Sequence, residues 1–104
     1  MKVKVYHTAF EETPVHIATV EAPHAVNEEA CEYAYRWTQN IMDSWSHPEG
    51  VEDKNPNVEV VVPVETYGHR SSAMGDYFEA DGTLYKCAAV GFEAADEIKC
   101  RQPF

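Results

Sequence analysis

RSSAMGDYFEADGTLYKCAAVGF, residues 70 to 92, carries the clearest structural signal in this chain. Two short apolar runs, Tyr77–Ala80 and Thr83–Val90, are separated only by the pair Asp81-Gly82. An Asp-Gly pair between apolar runs is typical of a β-hairpin, because the type I′ turn that joins the two strands needs positive φ at both central residues. The stretch therefore predicts two antiparallel strands joined by a two-residue loop.

A two-residue loop also determines which residues lie opposite each other. It pairs Ala80 with Thr83 and Phe78 with Tyr85, and alternation along each strand then defines two faces. One face is predicted to carry Phe78, Tyr85 and Cys87, and the other Tyr77, Leu84 and Lys86.

Three glycines in this half of the chain, Gly75, Gly82 and Gly91, are expected to adopt backbone conformations that a Cβ atom would oppose. Gly82→Val is expected to destabilise most, because β-branched residues are poorest at positive φ.

The same half of the chain resembles a family of small, uncharacterised proteins encoded by bacteriophages, prophages and plasmids. The resemblance rests on His69-Arg70-Ser71-Ser72, Gly75-Asp76, Asp81-Gly82, Tyr85 and Gly91-Phe92, and upstream on Thr38-Gln39-Asn40 and Ser44-Trp45-Ser46. It covers roughly two-thirds of the chain, with Met74 where such proteins usually have Val. The resemblance implies an origin in a mobile element and an accessory role, and it supplies no active site.

The remaining segments predict a small α+β domain formed by residues 1–104. An alternating pattern predicts strands at Lys2–Thr8, Val15–Glu21 and Val58–Val64, and Pro63 places the last of these at a sheet edge or a bulge. With the hairpin this makes an antiparallel sheet of about five strands. The residues after Phe92 are compatible with a short helical turn.

One long helix is expected to pack on one face of this sheet. It should begin at Asn27, whose side chain can cap the first turn, and continue to about Trp45. Its apolar stripe is Ala30, Ala34, Trp37, Ile41 and Trp45. If Trp37 is buried against the sheet, Trp37→Ala should cost about 3 to 5 kcal/mol.

Composition limits the class of protein. The chain is 44% hydrophobic and 12% aromatic, which is typical of a globular domain, and no apolar run approaches the roughly 18 residues of a membrane span. Its three cysteines are far apart, which favours free thiols in a reducing compartment. We therefore expect a cytoplasmic protein of the host cell, with no membrane contact.

Catalytic motifs are weak. The five histidines have no metal-ligand spacing, so neither a metal nor another cofactor is indicated, and no residue is assigned a catalytic role. The polar loop could instead hold an anion through its guanidinium, hydroxyls and amides. The candidate binding residues are His69, Arg70, Ser71, Ser72 and Asp76. In the competing interpretation, Arg70 pairs with a carboxylate such as Asp76 and fixes the loop.

The charge is the compositional outlier, with 18 acidic and 8 basic residues and a formal net charge of −10. Direct binding to nucleic acid needs clustered Lys and Arg, so it is not expected. The acids are expected to form one negative surface on the helix and the following loop: Glu28, Glu29, Glu32, Asp43, Glu49, Glu52 and Asp53. Such a surface either keeps the protein soluble or imitates a phosphate backbone.

Three classes of function remain open from the sequence alone. The leading hypothesis is a small acidic accessory protein of a phage or mobile element that binds an unknown host protein, as an inhibitor or a nucleic-acid mimic. A mimic predicts that this partner itself binds nucleic acid. The second class is a small enzyme or anion-binding domain that uses the loop from His69 to Asp76. The third is a structural or assembly module.

Overall fold

In the part of the chain that the structure describes, alternating apolar and polar residues form the strands of one antiparallel sheet, and one helix packs on it. The structure is a computed structural model, and it describes residues 1–40, 44–46, 55–64 and 68–100. The elements in chain order are β1 Lys2–His7, β2 Val15–Glu21, α1 Asn27–Trp37, β3 Val58–Val60, β4 Tyr77–Ala80, β5 Thr83–Cys87 and β6 Phe92–Ala95.

The described part of the sheet has six strands in the order β3-β2-β1-β4-β5-β6, and every neighbouring pair is antiparallel. The α+β class and the antiparallel sheet are as predicted, but the prediction of about five strands missed β6. Residues 92–95 form that strand rather than a helical turn, because they pair with β5 from Cys87↔Phe92 to Leu84↔Ala95.

The predicted hairpin is confirmed in both turn and register. Asp81 and Gly82 have φ of 49° and 77°, so both central residues are in the left-handed region that a type I′ loop needs. Ala80 lies opposite Thr83, and Phe78 lies opposite Tyr85. The hairpin is therefore set by its local turn chemistry.

The core lies between the helix and the central strands. Val3 and Val5 of β1 are fully buried, as their alternation with lysines predicted, and their partners across β4 are Ala80 and Phe78. A register shift between Val5 and Tyr6 in the pairing with β2 marks a bulge in this part of the sheet. At the sheet edge, β3 is shorter than predicted, since it ends at Val60 before Pro63.

The helix is shorter than predicted and begins differently. It ends at Trp37, where Thr38 leaves helical geometry with φ −108° and ψ 28°. Its N-cap is Val26, which makes no side-chain cap, while the Asn27 side-chain amide donates to the Tyr85 hydroxyl at 3.3 Å. Trp45 is buried, but it lies outside the helix, and Ile41 lies outside the described residues.

The helix also buries a different face from the one expected. Ala30 and Ala34 are fully buried as predicted, but the third buried helical residue is Cys31, and Trp37 is only half-buried. Successive helical residues are rotated by about 100°, so Trp37 points about 120° away from Cys31. Trp37 instead packs beside Tyr33 on the helix itself, with the Arg36 guanidinium 4.1 Å from its ring centroid. The prediction of Trp37 as the core anchor was therefore wrong.

No helix in the described ranges has both the length and the apolar character needed to cross a bilayer.

Candidate functional site

A buried carboxylate organises the polar cluster between the end of β1 and the start of β4. The side chain of Asp76 is fully buried and accepts hydrogen bonds from three backbone amides. Its Oδ1 accepts from Thr8 at 2.8 Å and Ala9 at 3.0 Å, and its Oδ2 accepts from Ala73 at 2.7 Å. Because Gly75 has φ of 98°, the chain can turn tightly enough to bring Ala73 and Asp76 together. One side chain thereby connects two loops that are far apart in sequence.

Arg70 uses all five of its N–H donors within the protein. Two of them bind both oxygens of Asp76, each at 2.8 Å. Two more bind Glu11, at 2.8 and 3.2 Å, and the fifth donates to the carbonyl of Ser71 at 2.9 Å. The pairing of Arg70 with Asp76, the competing interpretation from the sequence, is therefore present. An anion at this loop would have to displace one of these bonds.

The charges in the cluster stabilise one another. Burial alone would raise the pKa of Asp76, but the hydrogen bonds from Arg70 and the backbone amides outweigh it and hold that pKa below its ordinary value. Burial also raises the pKa of Glu11, but the hydrogen bonds and charge of the Arg70 guanidinium outweigh it. The pKa of Glu11 is therefore lowered overall. The two carboxylates in turn raise the pKa of Arg70 against its own desolvation. All three groups are therefore ionised at neutral pH.

A chain of neutral hydrogen bonds runs from this cluster to the end of the helix. His7 is buried, and its Nε2 lies 3.1 Å from the hydroxyl of Ser72. That hydroxyl lies 2.7 Å from the hydroxyl of Thr38, which also donates to the carbonyl of Ala34 at 2.9 Å. Burial lowers the pKa of His7 to about 4, so the imidazole is neutral at pH 7. These bonds attach the loop before β4 to the helix C-terminus.

The Ser72–His7–Asp76 arrangement does not match a nucleophilic triad. In a triad, one imidazole nitrogen contacts the nucleophile and the other contacts the carboxylate. Here the same Nε2 of His7 is 3.1 Å from Ser72 and 3.9 Å from Asp76. Ser72 is also only 2% exposed, which leaves no room for a substrate carbonyl. The chemistry of this cluster is that of a structural network.

His69 and Ser71 make no hydrogen bond to the Asp76 carboxylate among the bonds of the described residues. The Nε2 of His69 lies 2.6 Å from the Val62 carbonyl, and the Ser71 hydroxyl accepts from the backbone amide of Asn40 at 2.8 Å. Of the five predicted loop residues, the structure therefore brings together Arg70, Ser72 and Asp76, and gives the other two separate partners.

Sequence reasoning missed three members of the cluster, Glu11, His7 and Thr38. Only His7 left a signal, because it continues the inward-facing alternation of Val3 and Val5 and so is a polar residue at a core position.

Three members of the predicted acidic surface lie on the described helix. Glu28, Glu29 and Glu32 are all exposed, and none forms an ion pair with another described residue. Glu28 and Glu32 are four residues apart and Glu29 and Glu32 are three apart, so Glu32 neighbours both of the others on the helix surface. The other four members, Asp43, Glu49, Glu52 and Asp53, lie outside the described residues.

Within the described ranges, no three His, Cys, Asp or Glu side chains come close enough to hold a metal ion. The three cysteines are free thiols, with Cys31 and Cys87 buried. Comparison of the chain with protein-family models, with curated proteins and with solved structures gave no match. The resemblance to phage and plasmid proteins therefore stays a prediction.

Proposed function

We propose that this chain is a small acidic accessory protein of a phage or mobile element, and that it binds a host protein through the exposed acidic side of its helix. The observation that carries the proposal is the row Glu28, Glu29 and Glu32, which is solvent-exposed and has no described ion-pair partner. The formal net charge of −10 adds a long-range field that favours a basic partner.

The arrangement of these acids supports a nucleic-acid mimic. Glu28 and Glu32 are about 6 Å apart on the helix, comparable with the separation of neighbouring phosphates on a strand. A host protein that normally grips DNA or RNA would meet a similar row of negative charges here. The helix dipole also favours acids in this first turn, so the same residues stabilise the helix. Imitating a phosphate backbone and stabilising the helix are compatible roles, and only the imitation requires a partner.

The polar cluster supports a binding role over a catalytic one. Its hydroxyl at Ser72 is buried, its imidazole at His7 is neutral, and the donors of Arg70 are all occupied. Such a network rigidifies the two loops that it joins. A rigid surface loses less entropy when it binds a partner.

Capture of host proteins by two variants of equal charge tests the proposal. The first replaces the helical acids Glu28, Glu29 and Glu32 by Gln. The control replaces three exposed acids elsewhere, Glu59, Glu93 and Asp96, by their amides. Both have a formal net charge of −7, three units less negative than −10. We expect the control to capture the same proteins from a bacterial lysate as the parent, and the helix variant to lose them. Equal capture by both variants would overturn the assignment of the surface.

A second candidate contact surface lies over the polar cluster. Phe10 and Met74 are 63% and 62% exposed, and they project from the two loops that Asp76 joins. The Phe10 ring covers the Arg70 guanidinium, whose central carbon is 5.0 Å from the ring centroid. Exposed aromatic and Met side chains are enriched in protein interfaces. Loss of capture by Phe10→Ser with Met74→Ser, but not by the helix variant, would favour this surface.

A further inference from the structure

A pocket of about 250 Å³ lies between the helix and the turn that joins β5 to β6. The helix contributes Glu32 and Tyr35 to its lining, and the strands contribute Cys87 and Phe92. Pockets for drug-sized ligands have volumes of roughly 300 to 1,000 Å³. This smaller pocket has room for a single side chain or a fragment of similar size.

The pocket has aromatic walls on a rigid base. Tyr35 and Phe92 are both half-buried, and their ring centroids are 6.3 Å apart with planes at 78°. Phe78, which is fully buried, contacts both rings from the core, with centroid distances of 6.2 Å to Tyr35 and 5.2 Å to Phe92. Edge-to-face packing of this kind holds the two wall residues in place.

The outer wall is a tight turn. The amide of Ala88 donates to the carbonyl of Gly91 at 2.9 Å, and Gly91 has φ of 69°, which favours glycine. Val90 stands at the tip of this turn and is 91% exposed. Ala88, Ala89 and Gly91 of this turn line the pocket on the side of the strands.

Among the residues that the structure describes, Glu32 is the only acidic side chain that lines the pocket. The Cys87 thiol also lines it, but burial raises the pKa of this thiol, so it stays protonated and is a poor nucleophile at neutral pH. No Lys, Arg or His in the described part of the chain lines the pocket. A side chain that complements this pocket has an apolar stem and ends in a single positive charge.

We propose that this pocket receives an arginine side chain of the host partner, with its guanidinium against Tyr35 and Phe92 and its charge facing Glu32. Charge complementarity and the aromatic walls identify the occupant. A guanidinium stacks on aromatic rings and is more weakly hydrated than a lysine ammonium, so it is the better fit for an aromatic pocket. The inference rests on the proposed function, because Glu32 belongs to both the acidic helix row and the pocket.

A small probe tests the pocket without the partner. Nα-acetyl-arginine amide is titrated into the full chain and followed by NMR, with the citrulline analogue as a neutral probe of nearly the same shape. We expect arginine to shift the ring signals of Tyr35 and Phe92 and the amides of the turn at Val90, with much weaker shifts from citrulline. Equal shifts from both probes, or no shift at these residues, would overturn the proposal.

Three variants separate the pocket from diffuse attraction. Glu32→Gln should weaken arginine binding by about 1.4-fold to fivefold, the range expected for one exposed ion pair. Glu29→Gln removes the same charge from the same helix outside the pocket, and it should leave the affinity unchanged. Phe92→Leu keeps an apolar side chain but removes the ring, and it should weaken binding while the fold is retained. If the two glutamate variants weaken arginine binding equally, arginine is attracted by the general negative charge of the helix and does not bind in the pocket.

The probe also separates this inference from the proposed function. If the acidic helix captures host proteins but arginine does not bind the pocket, the pocket assignment is wrong and the proposed function stands. If arginine binds but no host protein depends on the helical acids, the proposed function is wrong and the pocket stands.

Discussion

Asp76→Asn is the substitution that most sharply tests the role of the buried cluster. Asn has nearly the same shape, but it replaces one carboxylate oxygen by an NH₂ group and removes the charge. An NH₂ group in place of Oδ2 would face two donors, the Ala73 amide and Arg70 Nη1. In place of Oδ1 it would face three, the amides of Thr8 and Ala9 and Arg70 Nη2. Either orientation therefore leaves at least two donors unpaired, each of them partly or fully buried.

The expected cost follows from these lost bonds. Each unpaired buried donor costs about 1 to 3 kcal/mol. Breaking a buried ion pair costs about 3 to 5 kcal/mol, and here Arg70 is partly exposed and keeps Glu11 as a partner. These terms overlap, so we expect a loss of about 3 kcal/mol, a large part of the roughly 5 to 15 kcal/mol that stabilises a typical domain.

Urea unfolding followed by circular dichroism measures this loss. With a slope of about 1.5 kcal/mol/M, the midpoint of Asp76→Asn should fall by about 2 M. Asp81→Asn is the matched control, since it removes one carboxylate from an exposed turn whose φ of 49° Asn tolerates. The control should stay within about 0.5 kcal/mol of the parent. A midpoint for Asp76→Asn equal to that of the control would refute the reasoning.

Three further predictions concern pH, glycine and tryptophan. In the folded protein the pKa of His7 is about 4, whereas in the unfolded chain it is about 6.5. The unfolded chain therefore takes up a proton first as the pH falls. The free energy of unfolding should decrease by about 3 kcal/mol between these two pH values. In His7→Gln, the urea midpoint should depend less on pH between pH 6.5 and 4 than it does in the parent. An unchanged pH dependence would contradict this. Gly75→Val should lower Tm more than Gly82→Val. An added Cβ at Gly75 lies 3.3 Å from Ala9, whereas an added Cβ at Gly82 meets open space. The reverse order of Tm would contradict the structure. Trp37→Ala should cost less than about 2 kcal/mol, because its side chain is half-buried, whereas Trp45→Ala should cost about 3 to 5 kcal/mol. Equal losses of Tm in the two variants would count against this packing.

Features with a local cause could be predicted from the sequence. The hairpin follows from the preference of Asp81-Gly82 for positive φ, and β1 follows from the alternation of Val3 and Val5 with lysines. The strand β2 has the predicted bounds, Val15–Glu21. All three glycines predicted to need unusual backbone angles have positive φ. The structure leads us to predict a different order of sensitivity, because an added Cβ at Gly75 has a close neighbour and one at Gly82 has none.

Features that depend on tertiary contacts were missed. Arg70 and Glu11 are 59 residues apart in the chain, and His7 and Ser72 are 65 apart, so no local pattern pairs them. The buried face of the helix depends on how it rotates on the sheet. A stripe through Trp37 and a stripe through Cys31 are both compatible with helical spacing, and packing against β4 and β1 selects the second. The strand β6 forms because β5 offers it an edge, although Phe92–Ala95 has little strand character of its own.

The most direct test of the central claim is a competition experiment on the host protein that the parent chain captures. Its affinity for the chain is measured at rising salt, and then with duplex DNA or RNA as competitor. If the acidic helix imitates a phosphate backbone, binding should weaken steeply with salt, nucleic acid should displace the chain, and neutralising Glu28, Glu29 and Glu32 should abolish the binding itself. A partner whose binding is indifferent to salt, to nucleic acid and to these three residues would contradict the account.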